Sequence, residues 1–205
     1  MEQLMITIPD DANLQLASPY LLNLYKDFDE RILWFDDEIT NDSLEFVKYI
    51  LNWNREDEEA GLEIEERKPI RIFFHSPGGL LDVQDVLKSV IRLSKTPIIG
   101  IAMGSVASAA AYLFLNCHKK YMLKTAYFLF HLGSVQTAGN AADVMSAMKD
   151  YQQQLDEMVK EITAHTNYSD EEVKENIKAD WIIRSSEALE RGIVDKIVDD
   201  ITMLL

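Results

Sequence analysis

Short apolar segments alternate along this chain with segments of helical periodicity, and this alternation restricts the fold more than any other feature. Strands, the last of them a strand or an extended segment, are predicted at 31–35, 70–74, 97–103, 127–130 and 193–198. Helices are predicted at 41–53, 81–93, 105–115 and 141–166. This order predicts an α/β fold with a mainly parallel sheet, covered by helices on both faces and joined by right-handed crossovers. Sites in such sheets form beyond the carboxyl ends of the strands.

The size and composition of the chain indicate a single domain over residues 1–205. The 205 residues, of which 47% are hydrophobic, can bury one sizeable core but are too few for two. No linker rich in proline, glycine or serine divides the sequence, although the first 25 or so residues lack a clear periodicity.

The charge and the cysteine content restrict the partners and the compartment. A formal net charge of −15 disfavours nucleic acid and anionic membranes, because an acidic surface repels phosphate groups. No apolar run reaches about 18 residues and no basic run opens the chain, so neither a membrane-spanning helix nor a secretory signal is expected. The single cysteine, Cys117, lies in an apolar run and is predicted to be an inert, packed thiol. A cytoplasmic location is therefore predicted.

Part of the negative charge is concentrated between residues 55 and 68. A charge run of this kind usually forms a solvated loop or a helix end. We assign no chemistry to this acidic segment.

The predicted helix over 141–166 differs from the others in its length and its pattern. Its apolar positions are separated by 4, 3, 4, 3 and 4 residues, and they are Val144, Met148, Tyr151, Leu155, Met158 and Ile162. This spacing is a heptad seam on a helix of about seven turns. An amphipathic helix on its own domain is one interpretation. A long projecting helix that packs against another subunit explains the length and the seam better.

Three residues could cooperate in nucleophilic catalysis. Ser108 follows an apolar strand and a glycine, and by position Ser105 is the better helix cap while Ser108 is the better nucleophile. Serine needs a base to remove its proton, and His131 ends a predicted strand from which it could reach a neighbouring loop. Asp180, expected to be half-buried beside the apolar residues 181–183, could orient the imidazole. Each of the three, taken alone, is more often a structural residue.

The segment Ser76-Pro77-Gly78-Gly79 is the most specific motif in the sequence. Proline fixes one backbone dihedral, and the paired glycines let the backbone approach a ligand without obstruction by a Cβ atom. An outward-facing glycine N–H group here is a natural donor to an oxyanion.

The segments 75–79, 103–108, 130–131 and 186–195, together with Asp180, resemble the proteolytic subunit of the Clp protease in order and spacing. The resemblance extends from about Arg31 to the C-terminus. It implies a ClpP/crotonase-like fold, in which repeated β-β-α units form a superhelix with a mainly parallel sheet and a projecting handle helix. The handle strand and helix would occupy about 132–166, and an axial N-terminal segment about 1–25.

The resemblance also implies a serine endopeptidase. Ser108 would be the nucleophile, His131 the general base and Asp180 the third member of the triad. The backbone N–H groups of Gly79 and Ala109 would form the oxyanion hole. No metal and no cofactor are expected in this chain, because the family's ATP is used by a partner unfoldase.

The assembly implied by the resemblance is a homo-oligomer. Heptameric rings would stack as a tetradecamer joined by the handles, an unfoldase of the AAA+ class would deliver polypeptide substrates, and nucleic acid and membranes would not be partners.

Several departures from the family pattern indicate a divergent member. His75 replaces the usual asparagine, Leu132-Gly133 replaces Gln-Pro after the histidine, and Val135-Gln136 replaces a pair of glycines in the handle strand. Residues 61–68 resemble an insertion. These changes affect the ring geometry and the docking of an ATPase more than the triad.

Three other functions stay open at this point. The chain could be a non-catalytic ring subunit that assembles with an active paralogue, or an acyl-CoA hydratase or isomerase of the crotonase fold. A Ser-Lys peptidase of the signal-peptide-hydrolase type is the third, although the position of Asp180 favours a Ser-His-Asp arrangement.

Overall fold

The computed structural model describes residues 18–133 and 138–204. In this part of the chain the strands are β1 Ile32–Phe35, β2 Ile70–Ser76, β3 Ile98–Ala107, β4 Lys119–Leu123, β5 Tyr127–Phe130, β6 Trp181–Arg184 and β7 Lys196–Val198. The α-helices are α1 Pro19–Asp29, α2 Glu45–Glu59, α3 Leu81–Leu93, α4 Ala109–Leu115, α5 Ala141–His165, α6 Asp170–Asn176 and α7 Ser185–Glu190. Short 3₁₀ turns lie at Asn41–Leu44, Ile64–Glu66 and Ile201–Leu204.

The strands form one sheet in the order β1-β2-β3-β4-β7, and every pair in this row is parallel. Strand β5 continues the sheet beside the end of β3, and β6 pairs with β5 in the antiparallel direction. The predicted α/β class with a mainly parallel sheet is thus confirmed.

Strand β3 is the centre of the sheet, and it changes neighbours along its length. Its residues 99–102 pair with β4, whereas its residues 105–107 pair with β5. On the other side, Phe74 of β2 pairs with Ala102 but Ser76 pairs with Val106. Two steps along β2 therefore match four steps along β3, and this bulge redirects the last residues of β3.

The core is built around α4, whose seven residues are all buried between the sheet and α5. Its alanines permit close packing, and Phe114 contacts the rings of Phe74 and Phe128 in the sheet. Helix α3 buries Val83, Leu87 and Ile91 against the same core. Burial of such apolar side chains supplies most of the stability of a fold.

Two predicted helix boundaries are wrong. The helix predicted at 105–115 begins at Ala109, because residues 105–107 pair with β5 and remain extended. The helix predicted at 41–53 begins as a 3₁₀ turn, becomes α-helical at Glu45 and continues to Glu59. In both cases tertiary pairing or packing outweighs the local pattern.

The predicted terminal segment over 1–25 falls partly on residues 1–17, which lie outside the described part of the chain. From Pro19 to Asp29 the chain is helical, although the sequence shows no clear periodicity before about residue 25. Ser18 caps α1 by accepting a hydrogen bond from the Leu21 N–H, and Pro19 suits the first helical turn because its missing N–H needs no partner.

The acidic segment is less solvated than predicted. Asp57, in the last turns of α2, is 2% exposed and accepts two hydrogen bonds of 2.8 Å from the Arg31 guanidinium. The hydroxyl of Thr96 donates a third. Burial raises the pKa of Asp57, but these hydrogen bonds and the charge of Arg31 outweigh it and hold the pKa below its ordinary value. Glu56 and Glu58, beside it, are exposed as expected.

Helix α5 has the predicted bounds to within one residue. Asn140 caps it with its side-chain oxygen, and Val159 and Ile162 near its end are buried. Near its beginning the helix is exposed to solvent, and the exposed fractions of Met145 and Met148 are 73% and 52%. The hydroxyl of Tyr151 donates a 2.7 Å hydrogen bond to the Leu132 carbonyl, which ties the middle of α5 to the loop after β5.

Cys117 is buried at the end of α4, against Gly100 of β3. Burial raises its pKa to about 12, so the prediction of an inert thiol is confirmed. Among the helices of residues 18–133 and 138–204, none combines the length and the hydropathy needed to cross a membrane.

Candidate active site

Ser108 occupies the junction between β3 and α4 and has an unusual backbone conformation. Its φ of 52° is one of two positive values among the described residues other than glycine. Its N–H donates a 2.8 Å hydrogen bond to the carbonyl of Leu129 in β5, which fixes the junction to the neighbouring strand. A serine held in a strained turn between a strand and a helix presents its hydroxyl away from both elements.

His131 and Asp180 are brought together by the pairing of β5 with β6. Phe130 is opposite Trp181 in this antiparallel ladder, so the residue after Phe130 and the residue before Trp181 face each other. The His131 Nδ1 atom lies 3.9 Å from the Asp180 Oδ1 atom. This separation is within the range of an ion pair but is longer than a hydrogen bond.

Asp180 is more exposed than the sequence predicts. Its side chain is 72% exposed, and that of His131 is 35% exposed. The apolar residues after Asp180 alternate between the two faces of β6, and Trp181 and Ile183 are the buried ones. Asp180 precedes the strand and therefore lies at the edge of the sheet, in contact with solvent.

Ser108 and His131 are neighbours through the β3–β5 pairing. Ala107 is opposite Leu129, so Ser108 leaves β3 where β5 approaches its end at His131. Between these two residues the structure contains no hydrogen bond from the Ser108 hydroxyl to the imidazole. The three predicted residues therefore lie in one region beyond the carboxyl ends of β3 and β5. No direct bond joins the serine to the histidine in this structure.

The Ser76-Pro77-Gly78-Gly79 loop lies directly against Ser108. Gly78 has a φ of 96°, and a Cβ atom there would come within 2.7 Å of the Ser108 Cβ and 2.9 Å of the Ala109 nitrogen. Only glycine permits this approach of the loop to the serine. The hydroxyl of Ser76 holds the loop, because it donates to the Asp37 carbonyl and accepts from the Gly78 N–H.

Ile39 holds the loop from the opposite side. The Ile39 N–H donates to the Gly78 carbonyl, and the Leu80 N–H donates to the Ile39 carbonyl. Gly79 lies between these two bonds, opposite Ile39. Among the hydrogen bonds of the described residues, neither the Gly79 N–H nor the Ala109 N–H is a donor.

Sequence reasoning identified the loop but missed two details of the site. Gly78, rather than Gly79, makes the close contact with Ser108, and the second glycine packs on Ile39. His75 contacts Gly104 and accepts a hydrogen bond from the Ser105 N–H, although in the sequence it stood out only as a departure from the family pattern. A polar residue beside the glycine pair was the only available signal.

Ser108, His131 and Asp180 thus lie at the ends of neighbouring strands, and the N–H groups of Gly79 and Ala109, in the adjoining loop and helix, have no partner among the described residues. Such a set can transfer an acyl group, since it offers a nucleophile, a base and donors for a negatively charged oxygen.

Comparison with known proteins gives a consistent result. A family model described as Clp protease matches residues 23–200. The ATP-dependent Clp protease proteolytic subunit 2 of Treponema pallidum is 29% identical over 134 residues, which are 64% of this chain and 67% of that protein. The ATP-dependent Clp protease proteolytic subunit of Paracoccus denitrificans is 27% identical over 67% of this chain and 70% of its own length. A subunit of the same description from Dehalococcoides mccartyi is 25% identical over 82% of both chains.

Proposed function

Because the chain belongs to the Clp protease family, we propose that it is a serine endopeptidase subunit that cleaves unfolded polypeptides through an acyl-enzyme. Its substrate would lie extended and pair with strand edges by main-chain hydrogen bonds, which gives little preference for sequence.

The orientation of His131 assigns the proton transfers in this proposal. Its Nδ1 atom faces Asp180, so the Nε2 atom remains to take the proton from the Ser108 hydroxyl. The Ser108 Oγ atom attacks the peptide carbonyl, a bond from oxygen to carbon forms, and the carbonyl oxygen becomes negatively charged. Asp180 stabilises the imidazolium that results.

The negative charge on the tetrahedral intermediate would be met by the N–H groups of Gly79 and Ala109. The contact of Gly78 with Ser108 and Ala109 supports this role, because the loop that contains Gly79 lies against the serine. Preorganised donors of this kind lower the barrier by about 3 kcal/mol each.

The second half of the reaction reverses the proton transfers. The imidazolium gives its proton to the departing amine, and the bond from carbon to nitrogen breaks. Water then loses a proton to His131, attacks the acyl-enzyme and releases the carboxylic acid with the Ser108 hydroxyl restored. All these steps use side chains and backbone N–H groups, so no resident cofactor enters the proposal.

The observation that carries this proposal is the position of Ser108. A positive φ at a non-glycine residue costs free energy, and here it occurs at the junction of β3 with α4, next to the strand that leads to His131.

The test is labelling by a fluorophosphonate, in which the Ser108 Oγ displaces fluoride from phosphorus while His131 accepts the proton. We expect one adduct, on Ser108, in the wild-type protein in its native assembly. Ser108→Ala should give none, while Ser105→Ala, which removes the neighbouring serine of the same strand, should still be labelled. An unlabelled wild type, or an adduct elsewhere, would contradict the proposal.

A non-catalytic ring subunit is the second candidate, and one observation favours it. The Ser108 hydroxyl makes no hydrogen bond to the imidazole, and the His131 Nδ1 and Asp180 Oδ1 atoms are 3.9 Å apart. Such loose geometry is expected where catalysis is no longer required. Catalytic contacts are often long in proteins without substrate, so we prefer the peptidase. The labelling experiment separates the two, because a passive subunit would not react.

The proposed assembly is an oligomer of stacked rings, heptameric in each ring, to which an unfoldase of the AAA+ class delivers polypeptides in the cytoplasm. Helix α5 supports an interface between copies, because the early part of its heptad seam is half-exposed or exposed on the chain itself. Met148 lies on the seam and Ser146 does not, although both are exposed.

A matched pair of substitutions on α5 tests this assembly. We expect Met148→Glu to reduce the native mass, measured by light scattering, because it places a charge in the seam. Ser146→Glu adds the same charge away from the seam and should leave the mass unchanged. A wild-type protein that is monomeric at micromolar concentration would rule out the interface.

A further inference from the structure

The bulge in β3 places one residue of β2 opposite three residues of β3. Because Phe74 pairs with Ala102 and Ser76 pairs with Val106, His75 faces the segment 103–105. Backbone groups in such a segment lose their regular partners in the neighbouring strand, and a partner of another kind must be found for them.

The His75 side chain supplies that partner. The Ser105 N–H donates a 3.2 Å hydrogen bond to the His75 Nδ1 atom, so Nδ1 is an acceptor. The ring also lies against Gly104, where a Cβ atom on any other residue would overlap it. His75 itself is exposed, and its contact with β3 is therefore not explained by burial in the core.

This hydrogen bond lies three residues before the proposed nucleophile. N–H groups of successive strand residues point to alternate sides. The Ser105 N–H is held on the β2 side by His75, and the Ser108 N–H is held on the β5 side by Leu129. The end of β3 is thus fixed from both sides just before it turns into α4.

We propose that His75 is a positioning residue for Ser108, acting through its acceptor nitrogen on the bulge of β3. The inference rests on the proposed peptidase function, since it assigns His75 to the geometry of that nucleophile. What the proposal requires of position 75 is an acceptor at the δ1 atom.

Asparagine and leucine form the matched pair that tests this requirement. The two have nearly the same shape, but His75→Asn places an oxygen acceptor at the δ1 position and His75→Leu places a methyl group there. We expect the rate constant of Ser108 labelling by a fluorophosphonate to stay near the wild-type value in His75→Asn. In His75→Leu it should fall about fivefold, which corresponds to the loss of one net hydrogen bond.

A substitution of Gly104, which contacts the His75 ring, tests the same hydrogen bond between Ser105 and His75. Gly104→Ala should slow labelling, because the new methyl group displaces the imidazole from the Ser105 N–H. In the double variant His75→Ala, Gly104→Ala the clash is absent, so labelling should be no slower than in His75→Ala alone. Additive losses would contradict the proposed contact.

Hydrogen exchange of the peptide that contains Ser105 separates this inference from the peptidase proposal. Faster exchange in His75→Leu than in His75→Asn supports the hydrogen bond, and equal exchange overturns it. A wild type that is not labelled at Ser108 overturns the peptidase function, and exchange alone then decides the role of His75. If the wild type and the variants His75→Asn and His75→Leu are all labelled at one rate, or if both variants are equally slow, the positioning role is wrong.

Discussion

Arg31 and Asp57 are joined by two hydrogen bonds of 2.8 Å inside the fold, whereas His131 and Asp180 face each other at 3.9 Å in contact with solvent. The Thr96 hydroxyl donates a further hydrogen bond to Asp57, so both carboxylate oxygens of the first pair already have partners within the protein. Among residues 18–133 and 138–204, neither partner of the second pair makes a side-chain hydrogen bond. The Arg31–Asp57 pair connects the start of β1 to α2, whereas the His131–Asp180 pair lies near the proposed nucleophile.

The difference shows that a strong ion pair and a chemically useful one need not be alike. A buried pair is costly to break, because the remaining partner is left as an uncompensated charge. An exposed pair contributes little to stability and is free to change its protonation during a reaction. The two pairs can therefore be distinguished by which property, activity or stability, responds to substitution.

The largest effect is expected from His131→Ala. Removal of the proposed base should lower the rate of peptide hydrolysis by about 10⁴-fold or more. Since the side chain is partly exposed, the thermal midpoint should change by no more than about 2 °C. Peptidase assays and calorimetry on the same preparation measure both. A variant that keeps full activity would remove His131 from the site.

Asp57→Ala should have the opposite profile. Loss of the buried carboxylate leaves Arg31 unpaired and should cost about 3–5 kcal/mol of the free energy of unfolding, with labelling of Ser108 preserved. Another acid of α2 provides the control, because Glu45 pairs with Lys48 and both side chains are more than half exposed, so Glu45→Ala should cost far less than Asp57→Ala. Equal losses in the two variants, followed by denaturant unfolding, would contradict a special role for the buried pair.

Asp180→Asn is expected to have an intermediate effect. The amide keeps the shape of the carboxylate but cannot stabilise the imidazolium, so hydrolysis should slow by about 10²-fold. The loss should be smaller than for His131→Ala, because the wild-type pair is separated by 3.9 Å and partly screened by water. The comparison is made on kcat for a peptide substrate. An increase in KM alone would indicate a role in binding.

The smallest effect concerns acid pH. Because the pKa of Asp57 in the folded protein is lowered from its ordinary value, the folded state favours the ionised carboxylate, and its contribution is fully present above that ordinary value. The contribution is lost as the pH falls through the folded-state pKa. The difference in thermal midpoint between wild type and Asp57→Ala should therefore be constant from about pH 7 to pH 5 and narrow below about pH 4. A difference in thermal midpoint that increases in acid would show that the pKa of Asp57 is raised, not lowered, in the folded protein.

Elements with strong local signals were predictable from the sequence. Helix α3 has the predicted bounds because its apolar face repeats regularly and proline and glycine precede it. Helix α5 is likewise fixed by its seam and by the Asn140 cap. Helix α6 also begins at a local signal, the capping box of Ser169 and Glu172, and Gly192, with a φ of 73°, follows the end of α7.

The features that depend on distant pairing were not predictable in this way. Strand β4 begins with two lysines, and β6 contains only three apolar residues before Arg184, so neither gives a clear local signal. The burial of Asp57 depends on Arg31, which is 26 residues away. The contact of His131 with Asp180 depends on the β5–β6 register, which the sequence does not show; residue types suggested the pair, and the family resemblance made it specific.

The replacement of glycines by Val135-Gln136 in the handle strand falls on residues outside the described part of the chain. Before these residues, the Leu132 carbonyl accepts a hydrogen bond from the Tyr151 hydroxyl, and after them Asn140 caps α5.

The burial of Cys117 has a practical consequence for work on the assembly. A thiol that is enclosed in the core and has a pKa of about 12 reacts slowly with maleimides and methanethiosulfonates at neutral pH. A cysteine introduced at an exposed position of α5, such as Met145→Cys, would then carry a spin label or a fluorophore almost alone. Distances between labelled copies could be recorded by electron resonance or energy transfer without first removing the native thiol.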